Sequence, residues 1–170
     1  EMTVKAGQKC TAIRRAIVPR RHLDTLTKKL ADRLAKVVVG DPALEAVRMG
    51  ALASKAQQRD VAERVAALSA GNDVVFGERN GFKPQGEGVG EGAFFAPTLL
   101  LCHKPLANDA VHDVEAFGPV STLMPYDDLD EAVALAARGR GSLVGTLVTK
   151  DPATAAHVVP QVAALHGRLL

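Results

Sequence analysis

The chain has 170 residues, 47% hydrophobic and 24% charged, with 21 Lys and Arg against 19 Asp and Glu for a formal net charge of +2. That is the balance of a globular domain with its own core, and neither the small charge nor any aromatic–basic interleaving argues for nucleic acid as a partner. No segment is long and apolar enough to span a bilayer and none resembles a leader peptide. Two cysteines, Cys10 and Cys102, cannot build a disulfide framework, so no membrane partner is expected and a reducing cytoplasm is the expected compartment.

Residues 12–18 are apolar, partly β-branched and stopped by Pro19, the pattern of a buried strand. A helix is expected over about 21–37, where Leu23, Leu26, Leu30, Leu34 and Val37 recur at helical spacing, with Gly40-Asp41-Pro42 turning the chain. The basic residues Arg14, Arg15, Arg20 and Arg21 are split by Ile17 and Val18 and mark strand ends and a helix start. A second helix over 55–69 places Val61, Val65 and Leu68 on one face, and Val74 to Phe76 form a short strand. Residues 77–93 make the longest loop. Its run Gly86-Glu87-Gly88-Val89-Gly90-Glu91-Gly92 opens no helix and carries two carboxylates that would repel phosphate, so it is expected to be a flexible surface loop.

A strand over Pro97 to Cys102 follows, with Cys102 as a small hydrophobe, then a loop containing Asp109 and His112. Val120 to Pro125 is a strand. Asp128 with Glu131 forms a capping-box pattern for a helix whose Leu129, Ala132, Val133 and Ala136 face inward, up to the Gly139-Arg140-Gly141 turn. Leu143 to Thr149 is expected as a buried strand. Asp151-Pro152 starts a helix that Pro160 kinks or shortens before about Leu165, and a final strand begins near Gly167. Strands alternating with helices predict a three-layer α/β/α domain around a mostly parallel sheet.

Chemistry concentrates in two segments. Cys10 lies in Gly7-Gln8-Lys9-Cys10-Thr11-Ala12, between small or polar neighbours and at the entrance to a core strand. Position alone leaves two readings open: an inert half-buried thiol, or a nucleophile whose thiolate is favoured by turn N–H groups or a nearby base. Glu115, in Glu115-Ala116-Phe117-Gly118-Pro119-Val120, is either a surface carboxylate or an acceptor for sugar hydroxyls, with Phe117 offering a flat face to a ring. His112 and Asp113 fit ordinary loop polarity or the mouth of a site. The histidines at 22, 103, 112, 157 and 166 have no metal-ligand spacing, and no Gly-x-Ser-x-Gly elbow is present.

Together, the Cys10 segment and the Glu115-Ala116-Phe117-Gly118-Pro119 segment resemble, in order, the catalytic cysteine motif and the Glu-x-Phe-Gly-Pro motif of the aldehyde dehydrogenase superfamily. The resemblance covers essentially the whole chain but about a third of a complete member. It implies that Cys10 attacks an aldehyde to give a thiohemiacetal. Hydride then passes to a nicotinamide ring, and water hydrolyses the resulting thioester. The Cys10 N–H would form part of the oxyanion hole. Glu115 would hold the nicotinamide ribose and Phe117 would pack beside the nicotinamide.

The run from Glu1 to Arg15 and the run from Val111 to Gly118 are most similar to a branch that oxidises coenzyme-A-linked semialdehydes in aerobic aromatic-acid breakdown. That branch implies NADP as cofactor, with NAD possible, and a coenzyme-A-linked aldehyde as substrate; the superfamily implies a homodimer or homotetramer. Both chain ends look cut, so residues 1–170 are expected to be a single catalytic domain taken from a longer two-domain enzyme. The dinucleotide-binding domain, the glutamate that activates water and the side-chain amide of the oxyanion hole would lie outside it. On that expectation these 170 residues alone do not turn over substrate.

Overall fold

Every residue of Thr98–Leu101 is buried, and this strand, β3, is the centre from which the domain is built. In the computed structural model, which describes residues 1–77 and 82–170, β3 pairs in parallel with β4 (Val120–Tyr126), and β4 in parallel with β1 (Arg15–Pro19). The edge strand β2 (Asp73–Phe76) runs antiparallel to β3, giving the order β1-β4-β3-β2. Side chains alternate across the sheet as the pleat requires. Leu100, Val120 and Met124 share one core with Val61, Val65 and Leu68 of α2 (Lys55–Ser69). Leu99, Leu101, Leu123 and Val18 share another with Leu23 and Leu34 of α1 (Leu23–Leu34). A helix therefore covers each face, as the alternation of elements predicts.

Helix ends follow local chemistry. The Ser54 side chain accepts from the Gln57 N–H at the start of α2. In α4 (Leu129–Ala137), the Asp128 carboxylate accepts from the Glu131 N–H and Glu131 in turn accepts from the Asp127 N–H, one residue before the expected cap. Asp151 accepts from the Ala153 and Thr154 N–H groups at the start of α5 (Pro152–Val162). Pro160 lies inside α5, which ends two residues later.

Several boundaries differ from the sequence expectations. Strand β1 starts at Arg15, because residues 10–12 are spent in a turn. Helix α1 is preceded by a 3-10 turn at Arg20–His22 and ends at Leu34, three residues short of Val37. Leu135 is the fully buried residue of α4, while Leu129, Ala132, Val133 and Ala136 are only partly covered. The expected loop around Asp109 contains a short helix, α3 (Ala110–Asp113).

The largest correction concerns Leu143 to Thr149. Only Ser142–Gly145 forms a strand, β5, and it pairs in parallel with β6 (His166–Leu169) in a separate two-stranded sheet. Leu143 is 56% exposed within β5, and Val148, beyond its end, is 91% exposed. Part of the expected 77–93 loop lies outside the described residues. The rest includes a 3-10 turn at Val89–Glu91 and a bridge from Gln85 to Gly40. Among the described residues no helix is long and apolar enough to cross a membrane.

Candidate active site

The approach to Cys10 is strained. Lys5 and Ala6 both hold φ of 52° and Gly7 holds 70°, so three consecutive residues occupy the left-handed region. For a non-glycine residue this costs roughly 1–2 kcal/mol, and such strain persists where surrounding contacts impose it. Ala6 is 2% exposed within the α2-side core. Gly7 is required for a second reason. A Cβ there would lie 2.7 Å from the Pro119 nitrogen and closer still to the Gly118 carbonyl. The backbone of the cysteine segment thus rests directly on the backbone of the Gly118-Pro119 turn.

Gln8 locks the two segments together. Its φ of −81° and ψ of 66°, with the Lys9 N–H donating to Gly7 O at 2.9 Å, make an inverse γ-turn. Its side-chain amide donates to Phe117 O at 3.1 Å and to Gln57 Oε1 at 3.0 Å, while its Oε1 accepts from the Ala53 N–H at 2.7 Å. One part-buried amide therefore ties the cysteine turn, the Phe117 loop and the first turn of α2. On the far side, Gly118 sits so close to α2 that a Cβ would meet Val61 Cγ1 at 2.8 Å.

Two exposed faces flank this joint. Cys10 is exposed, and its N–H donates to no acceptor among the described residues. Lys9 points away to Glu1, with Nζ 3.1 Å from Oε2. Glu115 is exposed and makes no hydrogen bond among the described residues, Ala116 is buried, and Phe117 is half-buried. A carboxylate with no partner among the described residues, beside a partly exposed ring on a fixed turn, is free to accept from hydroxyl donors. Cys102, by contrast, is 1% exposed, and burial pushes its thiol pKa up. Two broad concavities of about 470 and 430 Å³ lie elsewhere on the surface, and neither is lined by Cys10, Glu115 or Phe117.

The aldehyde dehydrogenase family model matches residues 1–166. The chain belongs to the aldehyde dehydrogenase family. It is 48% identical over 170 residues to 3,4-dehydroadipyl-CoA semialdehyde dehydrogenase of Aromatoleum evansii, covering 100% of this chain and 33% of that protein. It is 46% identical over 122 residues to Protein MaoC of Klebsiella aerogenes, covering 71% of this chain and 35% of the relative. Betaine aldehyde dehydrogenase of Staphylococcus aureus in complex with NAD+ superposes with a TM-score of 0.83 at 26% identity, over 97% of this chain and 32% of that one. A mutant of Aldehyde Dehydrogenase C of Pseudomonas syringae, in complex with NAD+ and octanal, gives a TM-score of 0.80 at 29% identity, over 96% of this chain and 32% of that one. The chain spans about a third of the length of these relatives.

His112 is not at a site mouth. It is 4% exposed, its Nε2 lies 2.8 Å from Pro105 O and its Nδ1 3.0 Å from Arg15 Nη1. An arginine only donates, so Nδ1 must accept and Nε2 must carry the proton: the ring is neutral. Burial first, then Arg15 and Arg138, lower its pKa against the opposing Pro105 hydrogen bond and Asp113. The unfolded chain takes up this proton near the ordinary histidine value of ~6.5, the folded chain only at lower pH. More protons are then bound by the unfolded state, so stability present above ~6.5 is lost as pH falls through that window. The urea midpoint is expected to drop between pH 7.5 and 5.5, and to drop less in a His112→Asn variant. An equal drop in both proteins would assign the effect to other groups.

Sequence reading missed Gln8, Gly7 as a contact glycine, and Arg15. A glycine and an amide immediately before a candidate nucleophile were the available signals for the first two. Arg15 carried none, since its partners are Leu135 O at 2.8 Å, Ala136 O at 3.3 Å and the His112 ring.

Proposed function

We propose that this protein oxidises an aldehyde to the acid with Cys10 as nucleophile and a nicotinamide dinucleotide as oxidant. The observation that carries the reading is the joint itself: Gly7 packed on the Gly118-Pro119 turn and Gln8 bonded to Phe117 O, with Cys10 exposed on one segment and Glu115 on the other. The Cys10 thiolate adds to the aldehyde carbon and forms a C–S bond, and the carbonyl oxygen takes up the negative charge. The Cys10 N–H, which has no acceptor among the described residues, is suited to donate to that oxygen. A nicotinamide ring bound there would supply the hydride acceptor, and loss of hydride from the adduct leaves a thioester on Cys10. Water then cleaves the thioester, releasing the acid and restoring the thiol. Glu115 would hold the dinucleotide by accepting from its ribose hydroxyls, and Phe117 would pack beside its nicotinamide ring.

The substrate we assign is a coenzyme-A-linked semialdehyde such as 3,4-dehydroadipyl-CoA semialdehyde, in line with the 48% identity to the Aromatoleum evansii enzyme. NADP is the assigned cofactor, with NAD as the alternative that the structural relatives hold. Residues 1–170 act as the cysteine-bearing catalytic part of a cytoplasmic homodimer or homotetramer.

The test follows dinucleotide reduction in the full-length protein with a coenzyme-A-linked semialdehyde and with simple aldehydes, with and without added coenzyme A. Preferred use of the linked semialdehyde, giving free acid without added coenzyme A, is expected. Product formation that requires added coenzyme A would replace hydrolysis by acyl transfer. No aldehyde-dependent reduction would refute the reading.

A further inference from the structure

Four arginines from two stretches of chain converge on residues 106–113, the segment that precedes Glu115 and contains α3. Arg14 Nη2, just before β1, donates to His112 O at 3.1 Å, and Arg15 Nη1, from its first residue, to His112 Nδ1 at 3.0 Å. From the end of α4, Arg138 bonds Leu106 O at 2.8 Å and pairs with Asp109, and Arg140 Nη2 lies 3.2 Å from Asp113 Oδ1. The Arg138 and Arg140 pairs involve exposed partners, where ion pairs contribute little. The Arg15–His112 contact is different, because His112 is buried and Arg15 is half-buried.

Arg15 reaches no carboxylate among the described residues. Its guanidinium is held by the Leu135 and Ala136 carbonyls at the C-terminal end of α4, where the helix dipole favours a cation. Burial lowers its pKa to about 10, still far above neutral, so it remains charged and obligatorily a donor. The cradle is shaped for it: a Cβ at Gly139 would meet Ser142 Oγ and the Arg15 guanidinium, with Arg15 Cζ at 3.1 Å. The only role open to His112 Nδ1 is acceptor, and its Nε2–H anchors the other edge of the ring to Pro105 O. Residue 15 lies five positions after Cys10, and residue 112 three positions before Glu115.

We infer that Arg15 and His112 are a positioning pair that sets the place of Glu115. The inference rests on the dinucleotide-binding role proposed for Glu115. Neither Arg15 nor His112 touches substrate. The pair acts by fixing α3, from whose C-terminal end the chain runs through Val114 directly to Glu115. Phe117 is tied to the Cys10 segment by Gln8 and Gly7 rather than by this pair, so Cys10 reactivity is separable from the contribution of Glu115 to dinucleotide affinity.

The experiment compares full-length wild type with His112→Asn, His112→Gln and His112→Phe. It measures NADP+ dissociation constants and the rate of Cys10 alkylation by iodoacetamide. Asn keeps an acceptor near Nδ1, Gln keeps a donor near Nε2, and Phe keeps neither. Phe is expected to weaken NADP+ about tenfold or more, as a displacement of the order of an ångström would, with Cys10 alkylation unchanged. Asn is expected to restore affinity better than Gln, a comparison that stands if the Phe variant does not fold. Wild-type affinity in the Phe variant, Asn no better than Gln, or alkylation falling in step with affinity would overturn the pair. Absence of dinucleotide binding by wild type would instead refute the site reading and the pair with it, which separates the two failures.

Discussion

Cys10→Ala is expected to abolish turnover, by about 10⁴-fold or more, because the proposed mechanism makes Cys10 the covalent nucleophile, whose loss removes the pathway rather than one contact within it. Stability should hardly change. The side chain is exposed, so its truncation leaves no cavity, and surface changes of this kind fall within about 0.5 kcal/mol. Cys102 supplies the internal control. It lies in the α2-side core at 1% exposure, and a conservative change there should lower stability while leaving the chemistry. The diagnostic result is thus a Cys10→Ala protein that melts like wild type and is inactive. Equal turnover in the two proteins would remove Cys10 from the mechanism.

Gly7→Ala is expected to damage both stability and activity, through geometry rather than chemistry. The conformation alone is not prohibitive: Ala6 already holds φ of 52° next door, and the left-handed region costs a residue with a Cβ roughly 1–2 kcal/mol. Overlap decides the outcome. The new methyl would press on the Gly118 carbonyl and the Pro119 nitrogen, which are backbone atoms and cannot rotate away. Those atoms are backed in turn by Val61 of α2, so the strain passes into the core. A loss of about 3 kcal/mol or more is expected by denaturant unfolding. Turnover should fall about 100-fold, as follows when a reacting group is displaced by an ångström. A variant with wild-type midpoint and wild-type turnover would show that the two segments are not in register through this contact.

What could be read from sequence was mainly what local periodicity controls. The spacing of Val61, Val65 and Leu68 placed α2 correctly, since a helix face buried against a sheet must repeat in that way. The short-range oxygens of Asp128 and Asp151 announced their helices because a cap needs only neighbours. Residues 143–149 failed for the converse reason. An apolar run carries no label for the sheet it joins, and the partner of β5 is a four-residue strand at 166–169 rather than the main sheet.

The candidate site divides the same way. Cys10 and Glu115 stand out by residue type within recognisable motifs. Gln8 does not, because its partners lie 45, 49 and 109 residues away. His112 looked like loop polarity because the arginine that pairs with its ring is 97 residues distant. Polar groups satisfied by long-range contacts leave no local pattern, so the residues that join the two motifs were the ones least visible in the chain.

The most direct test is to trap the covalent intermediate. Full-length protein would be mixed with aldehyde and NADP+, quenched in acid during turnover and digested, and the Cys10 and Cys102 peptides weighed by mass spectrometry. The account predicts an acyl group on Cys10, absent from Cys102 and absent throughout the Cys10→Ala protein. Turnover in wild type with no acyl group on Cys10, or with one on Cys102, would contradict it.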